Sequence, residues 1–133
     1  MVERKTIQQT FVLDEVEKLY SEHIHANADR IYDEIHLIHP TISRATVYRN
    51  LNKLVSMGYV NHIEIPNSAD CFDYVTTPHY HMKCIQCGAI SDVWLTKDVS
   101  LLQNCQSKND ADITGYDILF KGICSKCKKE MNL

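Results

Sequence analysis

The chain has 133 residues, 44% of them hydrophobic, a length for one ordinary domain or two small ones that lean on a metal or a partner. Charged residues make up 23% and the formal net charge is -3, which excludes both a disordered tail and a strongly basic protein. No apolar run approaches the roughly 20 residues of a membrane span, so no membrane partner is expected, and Met1-Val2-Glu3-Arg4-Lys5 lacks the core of a signal peptide. The six cysteines are therefore expected in a reducing cytoplasm, where paired Cys-x-x-Cys favours metal over disulfide.

Thr6-Ile7-Gln8-Gln9 has the form of a capping box. Ile7, Phe11, Val16 and Leu19 follow at helical spacing, which predicts a first helix to about Tyr20. Asn27 caps a second helix, with Asp29 opposing the dipole in its first turn, a buried stripe of Ile31, Tyr32, Ile35 and Ile38, and Pro40 as its stop. Ser43 caps a third helix, Arg44 to Met57, closed by Gly58. Its inward face is Val47, Leu51, Leu54 and Val55. Ala45, Arg49, Asn52 and Ser56 point the other way, with Tyr48 and Lys53 on the flanks.

Tyr59 to Ile65 and Cys71 to Val75 read as two strands around the turn Pro66-Asn67-Ser68-Ala69-Asp70. Three helices followed by a hairpin make a winged helix-turn-helix. Acids dominate between Asp14 and Glu34, whereas no acid occurs from Ile35 to Ile63, where Arg44, Arg49 and Lys53 stand. A locally basic helix in an acidic chain points to nucleic acid.

Thr76-Thr77-Pro78 reads as a hinge, dividing a DNA-binding domain, residues 1–76, from a metal-binding domain, residues 77–133. Beyond it, Tyr80 to Cys84 and Ala89 to Leu95 are expected as strands. Asp98 to about Lys108 is expected as a helix carrying Val99, Leu101, Leu102 and Cys105, and Tyr116 to Ile123 as a third strand.

Cys84-Ile85-Gln86-Cys87 and Cys124-Ser125-Lys126-Cys127 are two Cys-x-x-Cys pairs. Each puts two sulfurs on one side of a tight turn, and four thiolates complete the tetrahedron of a structural Zn²⁺. A redox dithiol and a disulfide pair are the competing readings. His79 and His81 alternate and would share one face of a strand. With His25, Asp73 and Asp92 they offer nitrogen and oxygen donors, a harder set that suits Fe²⁺, Mn²⁺ or Zn²⁺. Ordinary solvated histidines and carboxylates are the bland alternative. Cys71 and Cys105 read as inert packing. No His-Glu-x-x-His motif and no glycine-rich substrate loop is evident, so an enzyme is not expected.

The segments His25-Ala26-Asn27-Ala28-Asp29-Arg30-Ile31-Tyr32, Ser43-Arg44-Ala45-Thr46-Val47-Tyr48-Arg49-Asn50-Leu51, His79-Tyr80-His81, Cys84-x-x-Cys87-Gly88 and Cys124-x-x-Cys127, in this order over nearly the whole chain, resemble the ferric uptake regulator family of bacterial repressors. The resemblance implies an α+β protein, with an N-terminal winged helix-turn-helix domain and a C-terminal α/β dimerisation domain carrying a structural zinc. It further implies a homodimer that binds a palindromic operator in double-stranded DNA. By motif, the structural zinc falls on Cys84, Cys87, Cys124 and Cys127. The metal-sensing site, for Fe²⁺ or Mn²⁺, falls on His25, Asp73, His79, His81 and Asp92. DNA contacts fall on Arg44, Tyr48, Arg49, Asn52 and Lys53, with Tyr48 and Arg49 toward bases and Arg44 and Lys53 toward phosphates. Aspartate at Asp92, and Asp73 in Phe72-Asp73-Tyr74, look like the peroxide-sensing branch. In that branch, oxidation of a ligand histidine, here His25 or His79, releases DNA; sensing of iron or zinc sufficiency is the alternative. Thr6-Ile7-Gln8-Gln9-Thr10 lacks the Arg of the family's usual Thr-x-Gln-Arg, and the segment before it is shorter than usual.

Overall fold

A computed structural model describes residues 4–97 and 99–133. The chain forms two compact units, Met1–Pro78 and His79–Leu133.

The first unit begins with α1, Ile7–Ser21, and its capping box is formed as expected. Gln9 N donates to Thr6 Oγ1 at 3.1 Å, and Thr6 N donates to Gln9 Oε1 at 2.8 Å. α2, Ala28–Ile38, starts under Asn27, whose Oδ1 accepts from Arg30 N at 2.8 Å. α3, Arg44–Ser56, starts under Ser43, whose Oγ accepts from Thr46 N at 3.1 Å. Each cap satisfies a backbone N–H that the helix leaves without an internal partner.

The three helices pack around Val12, Leu13, Val16, Leu19, Ile31, Ile35, Val47, Leu51 and Leu54. Two expected members of this core lie outside it. Ile7 is 75% exposed, because at 100° per residue it points about 140° away from the Val12–Val16–Leu19 stripe. Ile38 is 62% exposed, in the last turn of α2 beyond the final buried residue Ile35. Phe11 is half-buried and stacks on His39 instead.

The wing is a short hairpin of β1, Asn61–Ile63, and β2, Cys71–Asp73, paired antiparallel. The residues ahead of α2 add to its other side. Asn27 bridges Cys71, and Phe72 N donates to Ala26 O at 2.9 Å. At the turn, Asp70 accepts from Ile65 N at 3.2 Å and meets His62 Nε2 at 2.9 Å. These partners, His62 first, hold the Asp70 carboxyl below its ordinary pKa.

The second unit is a three-stranded sheet in the order β4-β3-β5. β3, Tyr80–Cys84, pairs antiparallel with β4, Ile90–Val93, and parallel with β5, Leu119–Gly122. α4, Ser125–Glu130, closes the chain.

The helix expected from Asp98 to Lys108 is replaced, among the described residues, by a single 3₁₀ turn, Leu102–Asn104; Asp98 itself lies outside them. Asn104 Nδ2 donates to Ser100 O at 2.8 Å and Asn109 N to Ser107 Oγ at 3.2 Å. Such local side-chain bonds compete with helix. Val99 and Leu102, placed on its expected apolar face, remain exposed in the single chain. The third strand is shorter than expected. α4 is an addition, capped by the second cysteine pair itself: Cys124 Sγ accepts from Cys127 N at 3.5 Å.

Candidate metal centres and nucleic-acid interface

The first knuckle joins β3 to β4. Cys84 ends β3, Gly88 N donates back to Cys84 O at 2.9 Å, and Gly88 takes φ +81°, which a side chain at that position would strain. The second knuckle follows β5. The pairing of β5 with β3 places Gly122 opposite Cys84 and so delivers Cys124 to the first knuckle. A Cβ on Gly122 would lie 2.6 Å from Met82 Sδ, so a side chain there would displace the Met82 thioether that lies across β5.

The four sulfurs of Cys84, Cys87, Cys124 and Cys127 all lie within 4.8 Å of one another. Cys87 Sγ and Cys124 Sγ are 3.7 Å apart. A tetrahedral ion with Zn–S of about 2.3 Å has sulfur–sulfur edges of about 3.8 Å, so the cluster fits a structural zinc. A disulfide would need about 2.05 Å between sulfurs.

The thiols are also electrostatically divided. Cys84 accepts from Cys124 N at 3.4 Å, and this bond and the backbone of Cys87 lower its pKa to about 6. Burial and the neighbouring sulfurs push Cys127 up to about 12. Four thiolates crowded together cannot all ionise unaided, and a divalent cation supplies the compensating charge.

The expected sensor residues form two groups, one in each unit. In the first unit, Asn27 opposite Cys71 in an antiparallel bridge puts His25, two residues back, opposite Asp73, two residues on. His25 Nε2 is 3.5 Å from Asp73 Oδ2, and both side chains are buried. Tyr20 meets the His25 ring edge-on with centroids 6.0 Å apart.

In the second unit, His81 is directly opposite Asp92 across β3 and β4, and His79 precedes β3 on the same face. His79 Nε2 is 2.7 Å and His81 Nε2 3.4 Å from the one oxygen Asp92 Oδ1. Two imidazoles and a carboxylate thus converge on one point. In both groups the histidine nitrogen that meets the carboxylate is an atom that could ligate a cation. These donors fit a nitrogen- and oxygen-preferring divalent ion.

Trp94 escaped the sequence reading. Its ring stacks on His79 at 4.8 Å between centroids and 21° between planes, while the residue stays 57% exposed. Alternation along β4 was the available signal, since residues 92 and 94 share a face.

The outward face of α3 carries Ala45, Tyr48, Arg49, Asn52, Lys53 and Ser56, all exposed, as the helical spacing predicts. Arg49 reaches back to Thr46 Oγ1 at 3.5 Å. Arg44 and Tyr48 both donate to Asp29 Oδ1 of α2, and the Arg44 guanidinium lies 4.5 Å from the Tyr32 ring centroid. No helix of the described residues is long and apolar enough to cross a membrane.

The chain is 36% identical to the peroxide-responsive repressor PerR of Staphylococcus epidermidis over 114 residues, 86% of this chain and 76% of that protein. The crystal structure of the Campylobacter jejuni peroxide stress regulator is 32% identical, with a TM-score of 0.63 over 90% of this chain and 88% of that one. The iron-containing ferric uptake regulator of Francisella tularensis shares the fold, with a TM-score of 0.72 at 22% identity over 95% of both chains. The ferric uptake regulator family profile matches residues 3–120. With the winged helix, the four-cysteine cluster and these relatives together, the chain belongs to the ferric uptake regulator family.

Proposed function

We propose that the protein is a metal-dependent transcriptional repressor that senses peroxide and is not an enzyme. The observation that carries the reading is the presence, in one chain with a winged helix, of a four-thiol cluster and, apart from it, of histidine–carboxylate groups in each unit. Relatives named as peroxide-responsive repressors support it.

In this reading Cys84, Cys87, Cys124 and Cys127 hold Zn²⁺ as a clip between β3, β5 and α4. The second unit buries few large apolar side chains, so such a clip contributes much of its order. His25, Asp73, His79, His81 and Asp92 would hold one regulatory ion, Fe²⁺ or Mn²⁺. Fe²⁺ held there would supply reactivity toward peroxide that Mn²⁺ would not, and His25 or His79 would be the ligand histidine that takes up oxygen.

The rest of the mechanism belongs to the chain. Ligands on both sides of Thr76-Thr77-Pro78 restrict the angle between the domains. In a homodimer that sets the two α3 helices at the spacing of successive major grooves, roughly 34 Å. Metal and DNA binding are then thermodynamically coupled, each tightening the other by the same factor. Tyr48 and Arg49 face base edges, Arg44 and Lys53 meet phosphates, and Asn52 adds a further DNA contact. Loss of an imidazole ligand removes the restriction and the DNA is released.

The exposed apolar residues Val99, Leu102, Tyr116 and Phe120 of the second unit support a second copy as the partner that covers them. DNA binding measured with Fe²⁺, Mn²⁺ and Zn²⁺, with and without peroxide, tests the reading. Peroxide sensitivity confined to the iron form supports it; indifference to peroxide in every form, with DNA affinity following iron or zinc supply, favours metal-sufficiency sensing instead.

A further inference from the structure

We propose that Asp29 is a specificity-determining positioning residue. From α2 it holds the Tyr48 hydroxyl of α3 so that this group can only accept hydrogen bonds from a base edge. The inference rests on the reading of α3 as the base-contacting helix.

Tyr48 Oη donates its hydrogen to Asp29 Oδ1. A tyrosine hydroxyl has one proton and two lone pairs; with the proton on Asp29 and Arg44 donating to one lone pair, what it still offers outward is a single acceptor position. Donation to Asp29 raises the Tyr48 pKa, with Arg44 pulling the other way, so the hydroxyl stays protonated. The major-groove groups that can donate to such an acceptor are adenine N6 and cytosine N4. The guanine and thymine oxygens are acceptors and are refused. The ring edge adds an apolar surface for a thymine methyl.

A carboxylate beside a DNA-facing helix would ordinarily repel phosphates. Here its charge is offset twice. Arg44 donates to the same Asp29 oxygen, and Asp29 sits in the first turn of α2, where the helix dipole favours an anion. Arg44 is itself steadied over the Tyr32 ring at 4.5 Å, and its guanidinium keeps further donors for a phosphate.

Stability alone does not call for this arrangement. The Asp29 and Arg44 side chains are 61% and 51% exposed, and exposed ion pairs contribute little to folding. What the carboxylate does is fix the direction of one hydroxyl on the outward face of α3.

The test uses the zinc-loaded protein with Mn²⁺ and a library of random duplexes, from which the wild type selects its preferred sequence. Base preferences are then compared for wild type, Asp29→Ala, Asp29→Asn, Tyr48→Phe and the double variant Asp29→Asn with Tyr48→Phe. Asp29→Ala is expected to relax preference at the base positions that Tyr48→Phe relaxes, by about tenfold at the most affected one, and Asp29→Asn, which keeps a carbonyl acceptor for the hydroxyl but can also offer it an N–H, is expected to relax the same positions by less. The double variant should lose no more than Tyr48→Phe alone, and melting temperatures should stay close to wild type. Unchanged preferences in Asp29→Ala overturn the inference, as does a loss spread evenly over all positions or one that adds to that of Tyr48→Phe. Failure of the wild type to select any duplex overturns this inference and the DNA-binding reading together.

Discussion

Asp92 is the residue on which the proposed regulatory site turns, because one of its oxygens receives both His79 and His81. Asp92→Ala is expected to weaken Mn²⁺ binding by 10-fold or more, roughly the loss typical of a removed ligand or its partner, while zinc content stays at one per chain. Metal analysis after dialysis against Mn²⁺ checks this; loss of zinc as well would show that the two sites are not separate. The cysteines should behave differently. Metal needs thiolates, so protons compete with it and affinity falls as pH falls. Zinc release to a chromophoric chelator should therefore quicken from pH 7.5 to pH 5. The donors themselves were legible in the sequence as residue types at telling spacings. The Trp94 stack on His79 and the shared oxygen of Asp29 were not, because both depend on strand register and helix crossing rather than on neighbours in the chain.

Among the elements, the helices of the first unit follow local rules closely. Thr6, Asn27 and Ser43 each cap the helix that follows, as their side-chain chemistry dictates. Ser43→Ala should cost about 1 kcal/mol, seen as a lower melting temperature, and should also weaken DNA binding by loosening the start of α3. α1 carries a less comfortable residue, Glu15, which is buried and whose carboxyl pKa burial raises despite Lys18 at 3.7 Å. A raised folded-state pKa gives stability that is full below the unfolded value and lost as pH rises through the folded one. Glu15→Gln should therefore raise the melting temperature at pH 7.5 by a modest amount, below about 1 kcal/mol in stability, and the gain should vanish near pH 4. The second unit was harder to foresee. The helix expected from Asp98 has an apolar pattern, but among the described residues Val99 and Leu102 stay exposed, and Asn104 and Ser107 turn the backbone into local bonds instead. α4 depends on a cysteine acting as its cap, a role that the metal reading of Cys124 hides.

At the scale of the whole molecule, the account requires that several of its parts depend on partners outside the single chain. The exposed Val99, Leu102, Tyr116 and Phe120 predict a dimer, so sedimentation should give about twice 15.4 kDa in the zinc-loaded protein. In the proposed function the four thiols need their zinc, and the recognition helices need the regulatory metal to present themselves together. The α+β architecture, the order of helices and wing, and the cysteine clip were all readable in sequence, because caps, hydrophobic spacing and paired cysteines are local signals. Parallel pairing of β5 with β3 was not, since it joins residues 81–84 to 119–122, far apart in the chain. The central claim, that one metal links peroxide to release of DNA, is tested most directly on protein loaded with Fe²⁺ without oxygen and bound to its selected duplex. A brief addition of peroxide should release the DNA and add the mass of one oxygen atom to the peptide containing His25 or to that containing His79, while the Mn²⁺ form keeps both its DNA and its mass. DNA that stays bound in the iron form, or release without oxidation of either histidine, would contradict the account.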